Sequence, residues 1–114
     1  MFNSVTLVGR LAAGAELGRL SNAAKTPRVR VTVTVERAYD LDGETPVDFW
    51  PCRLVGEPCL RLAPYLSAGR LVLVSGAACL DSAPDGAGES RVQAYVSVRQ
   101  VRFLDRRPPH AAGQ

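Results

Sequence analysis

The sequence predicts a single all-β domain with one short helix, and three observations lead there. Residues 28–36 alternate strictly, with valine at 29, 31, 33 and 35 against Arg28, Arg30, Thr32, Thr34 and Glu36. That is the period of a strand with one dry face and one wet face. Four other stretches of strand length are apolar and bounded by Gly, Pro, Asp and Ser, the punctuation of strands and turns. Only residues 57–66 carry a helical spacing. At 114 residues the chain has the size of one compact domain.

Taken in order, residues 2–11 form the first strand, with Val5 and Leu7 alternating before Gly9, where a barrel strand can bend. Residues 12–27, rich in Ala, Gly and Ser, read as a long loop. The valine ladder is the second strand, and residues 37–46 connect it onward through Asp42-Gly43, a hairpin signal. Residues 47–55 are the third strand, with Pro51 marking an edge or a bulge. The helix follows: Pro58 suits a first helical position, Leu62 and Leu66 make an apolar stripe, and Pro64 keeps it brief or kinked. Residues 70–75 are the fourth strand. Residues 80–90, with Pro84-Asp85-Gly86 and Gly88, read as a turn-rich hairpin, and residues 91–104 are a long fifth strand. The domain spans 1–105, and 106–114, with Pro108-Pro109, reads as a loose tail.

Three strands, a short helix and two strands is the element order of the OB-fold, a five-stranded, partly open Greek-key barrel. Fold alone does not give function, so composition has to narrow the classes. The chain holds 14 basic and 11 acidic residues for a net of +3, and 13 of the 14 basic residues are arginine. Residues 1–105 carry a net of +1, without the blocks of like charge that mark a polybasic arm. No run approaches 18 apolar residues and no export signal opens the chain, so the expected location is the cytoplasm, away from membranes. Cys52, Cys59 and Cys79, spaced by six and nineteen residues, match no zinc pattern and read as buried thiols. The one histidine, His110, lies in the tail, so no Ser-His or Cys-His pair is available, and no phosphate-cradling glycine motif occurs. Neither catalysis nor a metal or other cofactor is expected.

Four blocks resemble the bacterial single-stranded DNA-binding proteins. They are Met1-Phe2-Asn3-Ser4-Val5-Thr6-Leu7-Val8-Gly9-Arg10-Leu11, then Val47-Asp48-Phe49-Trp50-Pro51-Cys52, then Ala63-Pro64-Tyr65-Leu66 with Gly69-Arg70-Leu71-Val72, and the last strand from Arg91 to Val101-Arg102-Phe103-Leu104-Asp105. They stand in that family's order and spacing over residues 2–105. The resemblance implies a homo-oligomer, a tetramer by preference or a dimer, that coats single-stranded DNA without sequence preference in replication, recombination or repair. Such binding combines a basic groove along the phosphates with aromatic faces on which bases stack. The resemblance puts stacking on Phe49 and Tyr39 and backbone contacts on Arg37 and Arg91. Strand parity adds Arg30 and Arg53. Trp50 points away from Phe49, toward core or subunit interface, and Tyr65 is expected to cap the helix against the barrel.

Departures from the family pattern predict weaker binding than its typical member. Val55 stands where a second aromatic is usual, and Glu57 where lysine is common. Leu80, Asp81, Ser82 and Ala83 replace a basic, aromatic hairpin, and Glu36 replaces a neutral or basic residue. The acidic, partner-recruiting tip of the family is absent from the tail. These losses also suit a rival role, an OB-fold protein-interaction or regulatory subunit resembling the primosomal replication-restart proteins. With so small a net charge, DNA binding requires the arginines to share a face while the acids sit on hairpin tips.

Overall fold

The computed structural model describes residues 1–38, 42–84 and 86–106. Six strands and one short helix follow in order: β1 Val5–Leu11, β2 Glu16–Arg19, β3 Pro27–Glu36, β4 Val47–Val55, α1 Glu57–Leu62, β5 Leu71–Pro84 and β6 Ser90–Phe103. The sheet runs β1-β5-β6-β4-β3-β2, and β1 also pairs with β3, so five strands close on themselves as the OB-fold requires. The closure is uneven. β4 and β6 meet in parallel at only two positions, Cys52 with Val96 and Arg53 with Ser97, so the barrel is partly open along that seam.

Two glycines make the closure possible. β1 leaves β5 at Arg10 and joins β3 at Arg10 and Leu11. At Gly9, just before this switch, a Cβ would run into the carbonyl of Thr34. Gly76 sits at the register shift of the β5–β6 ladder, and a Cβ there would strike the carbonyl of Ser97. Such bulged, close-packed corners are where barrel strands bend.

The valine ladder fills the barrel: Val29 and Val33 are fully buried, with Val72, Val74, Cys52, Leu54 and Val96 around them. α1 and the single 3-10 turn after it, Ala63–Tyr65, close one end through Cys59, Ala63 and Leu66. Pro58 occupies the first turn and Pro64 converts the helix to the tighter turn, as the sequence predicts. The residue that caps the helix against the barrel is Leu66, 2% exposed, whereas Tyr65 keeps 41% exposure. The Tyr65 carbonyl accepts from Arg70 Nη1 at 3.3 Å.

Three expectations change. The loop at 12–27 contains β2, which pairs with the first half of β3, an edge that β1 leaves open. Of the edge or bulge expected at Pro51 only the bulge falls away, because the ladder with β3 continues through Thr32↔Pro51. The β6 ladder begins only at Cys52, so the missing N–H at Pro51 has a side on which no partner is lost. Residues 80–84 are strand rather than turn: β5 and β6 pair without a break from Ala77↔Ser97 to Pro84↔Ser90. This continuous cross-strand ladder outweighs the weak strand propensity of Ala, Asp and Ser. The hairpin thus extends as an exposed arm beyond the barrel. Beyond Arg106 the expected tail lies outside the described residues.

Candidate functional site

Period 2 sends Arg30, Thr32 and Thr34 of β3 to the outside of the barrel, and Phe49, Pro51 and Arg53 of β4 with them. The register sets them opposite one another as Thr34↔Phe49, Thr32↔Pro51 and Arg30↔Arg53. Phe49 is 66% exposed, which excludes the core-filling role open to any strand aromatic. Trp50 faces the other way and packs partly buried against the core.

Two arginines directly across an antiparallel ladder repel unless each is compensated. Each is. Arg30 pairs with Glu16 of β2 at 3.6 Å. Arg53 donates from Nη2 to Asp81 Oδ2 at 2.9 Å, and its guanidinium lies over the Tyr95 ring at 3.8 Å from the centroid. Arg30, Glu16, Arg53 and Tyr95 line a cleft of about 330 Å³ between β2, β3, β4 and the β5–β6 arm, walled also by Gly14, Thr32, Pro51 and Gln93. Loss of surrounding water and the neighbouring Cys79 push the Tyr95 phenol above its ordinary pKa, so the ring stays neutral.

Arg91 continues this surface. It shares the β6 face of Gln93 and Tyr95 by strand parity, and with Asp81, Ala83, Pro84 and Gln93 it lines a second recess of about 260 Å³. Arg30, Arg53, Phe49 and Arg91 therefore lie on one connected surface. Arg37 does not join them. Its Nε and Nη2 donate to the two oxygens of Asp48 at 3.0 Å each, and Asp48 sits on the Trp50 side of β4. The guanidinium holds the Asp48 carboxyl below the usual carboxylate range. Tyr39 lies outside the described residues.

Sequence reading missed Tyr95, Gln93 and the two carboxylates, Glu16 and Asp81. Parity was available for the first two, since Arg91, Gln93 and Tyr95 are odd-numbered neighbours on one strand. The carboxylates carried no signal, because one stood in an expected loop and the other in an expected turn. Acids confined to hairpin tips are thus not what the structure has: two of them stand within the arginine face itself.

Chemically the surface offers planar cations, an exposed aromatic ring, hydroxyls and an amide. Burial pushes the Cys52 thiol up to about 12, which leaves it un-ionised. No group of three potential metal ligands occurs among the described residues. No helix among them is long and apolar enough to cross a membrane.

A model of the single-strand binding protein family matches residues 2–104. Single-stranded DNA-binding protein B of Bacillus subtilis is 34% identical over 113 residues, covering 98% of each chain. The single-stranded DNA-binding protein of Thermotoga maritima is 31% identical over 116 residues, spanning 99% of this chain and 81% of that one. Among solved structures, a Plasmodium falciparum SSB complex with ssDNA aligns with a TM-score of 0.78 at 16% identity, over 92% of this chain and 96% of that one. The small single-stranded DNA-binding protein from Streptomyces coelicolor aligns at 0.68 and 20% identity, over 90% and 95%. At such identities the two structures speak for the fold.

Proposed function

Because the chain belongs to the single-strand binding protein family, we propose that it binds single-stranded DNA along the outer face of β3 and β4. It does so without base-sequence preference and serves DNA replication, recombination or repair. The observation that carries this is Phe49: a large aromatic side chain, 66% exposed in the middle of a ladder of threonines and arginines. Such a ring has no packing reason to be there, and stacking on a base gives it one, worth about 1–3 kcal/mol. Arg91 serves as a phosphate contact on the same face, Arg30 becomes one only by leaving Glu16, and Arg53 stands in the same row. Arg37, turned to Asp48, holds the base of the β3–β4 connection and reaches the strand only by leaving that carboxylate. The role is binding rather than catalysis.

The proposed assembly is a homotetramer in the cytoplasm. Supporting self-association, Phe2 is 92% exposed at the start of the chain, and Leu80 and Val92 are 76% and 63% exposed on the arm, large apolar side chains of the kind that subunit contacts cover. The test is an equilibrium titration of fluorescently labelled oligo(dT) at low and moderate salt. Binding that weakens with salt is expected, and no association at low salt overturns the reading.

A further inference from the structure

The arginine row on β3 and β4 is not uniformly a row of positive charge. Arg30 pairs with Glu16 inside the cleft, and Arg53 pairs with Asp81 of the adjoining recess, so neither cation stands uncompensated. A phosphate approaching Arg53 meets the Asp81 carboxylate beside it, 2.9 Å from the same guanidinium. What remains distinctive about Arg53 is its shape. It is anchored on an interior strand, laid flat on Tyr95 at 3.8 Å and tethered at one edge by Asp81. Its side chain is 29% exposed, and Arg53 is one of the residues that line the cleft.

We propose that this cleft is a base-stacking subsite in which Arg53, backed by Tyr95, presents the free face of its guanidinium to a nucleobase. Arg53 then contributes to binding as a plane and not as a charge for phosphate. The proposal rests on the single-stranded DNA reading and names a contact within it. A guanidinium is planar, weakly hydrated and stacks on aromatic faces, and a ring behind it fixes its orientation before the ligand arrives. The cleft volume of about 330 Å³ lies at the small end of ligand pockets, the scale of a single nucleotide rather than a longer segment. Pro51 offers a flat apolar wall, while the Thr32 hydroxyl and Gln93 amide can meet the edge of a base. Asp81 and Tyr95 are positioning residues: they hold the plane.

A plane and a charge respond differently to two changes. Arg53→Lys keeps the charge and loses the plane. A strand of abasic residues keeps the phosphates and loses the bases. Fluorescence anisotropy therefore compares wild type, Arg53→Lys and Arg53→Met on oligo(dT) and on an abasic strand of equal length, over a salt series. Thermal melts identify any variant that has lost its fold, and Arg53→Lys, the conservative change, keeps the comparison intact if Arg53→Met does not fold. Both variants should weaken oligo(dT) binding about tenfold, with the salt slope and the abasic affinity unchanged. Wild-type affinity for oligo(dT) in a folded Arg53→Lys overturns the subsite, as does a loss shared equally by the abasic strand with a slope shallower by about 0.7. Wild type that binds neither strand at low salt overturns the DNA reading together with the subsite.

Discussion

The molecule contains the same three-part cluster twice, at two places, and uses it differently. In the cleft, Arg53 lies over Tyr95 at 3.8 Å and pairs with Asp81 at 2.9 Å. Where β6 ends, Arg70 lies over Phe103 at 4.0 Å and pairs with Asp105 at 2.9 Å. The difference is in donors and water. Arg70 gives Nε and Nη2 to Asp105 and Nη1 to the Tyr65 carbonyl, and the Leu71 amide adds another bond to Asp105. Its side chain is 12% exposed. Arg53 gives one bond, from Nη2, and keeps more than twice that exposure. An arginine whose donors are used internally is a fastener, here tying the end of β6 to the turn after α1. One with spare donors and an open face remains able to meet a ligand.

The comparison breaks most visibly through stability. Arg70→Met leaves Asp105 and the Tyr65 carbonyl short of their donor and loosens the last strand. Its melting temperature should fall by several degrees, because partly buried charge networks are costly to open. DNA affinity, measured well below that temperature, should stay within about twofold, the small change expected far from the binding surface. If Arg70→Met lost affinity as Arg53→Met does, with its fold intact, the division between fastener and ligand face would be wrong.

Affinity supplies the next largest effect. Phe49→Ala removes an exposed ring, so stability should hardly move, while oligo(dT) binding should weaken by about 1–3 kcal/mol, from roughly fivefold to roughly 150-fold. A titration in which Phe49→Ala binds like wild type would take Phe49 out of the DNA path.

A smaller effect separates the clusters by pH. The hydrogen-bonded Arg70 guanidinium holds the Asp105 carboxyl below the usual carboxylate range. A carboxyl whose pKa is depressed by folding stabilises above its unfolded value and loses that contribution as pH falls through the folded one. The stability advantage of wild type over Asp105→Asn should therefore be full at pH 7, begin to shrink only near about pH 4, and disappear as the pH drops further through the depressed folded value, read by melts across that range. A constant difference at all pH values would mean that Asp105 acts through shape alone.

Much of this could be read in the chain, for identifiable reasons. The valine ladder, Gly9, the two helix prolines and the Phe49–Trp50 parity switch are local signals, and each survives in the fold. The Arg53 and Arg70 clusters were not legible. Their partners stand 28 and 35 residues away, and only long-range strand pairing brings them together, across the β4–β6 seam for Arg53 and along the β5–β6 ladder for Arg70. The burial of Arg70 follows from β6 folding back across β5. Asp81 reads as a turn residue because Ala, Ser and Pro surround it, and the long β5–β6 ladder makes it strand.

The finest test concerns Arg30, which sits between the two extremes. Its pair with Glu16 is long, 3.6 Å, and both side chains are about half exposed or more, at 49% and 68%. Surface pairs of this kind add about 0–1 kcal/mol to stability, so Glu16→Gln should scarcely change the melting temperature. It should, however, remove the carboxylate that competes with phosphate for this guanidinium. Arg30 lacks an aromatic ring to hold it flat, so once released it acts as an ordinary phosphate contact. The salt dependence of oligo(dT) binding should then steepen by about 0.7 in log affinity per log salt, one added phosphate. Affinity should rise modestly at low salt and converge with wild type at high salt. An unchanged slope would place Arg30 off the DNA path, leaving the plane of Arg53 and the ring of Phe49 to carry that face of the barrel.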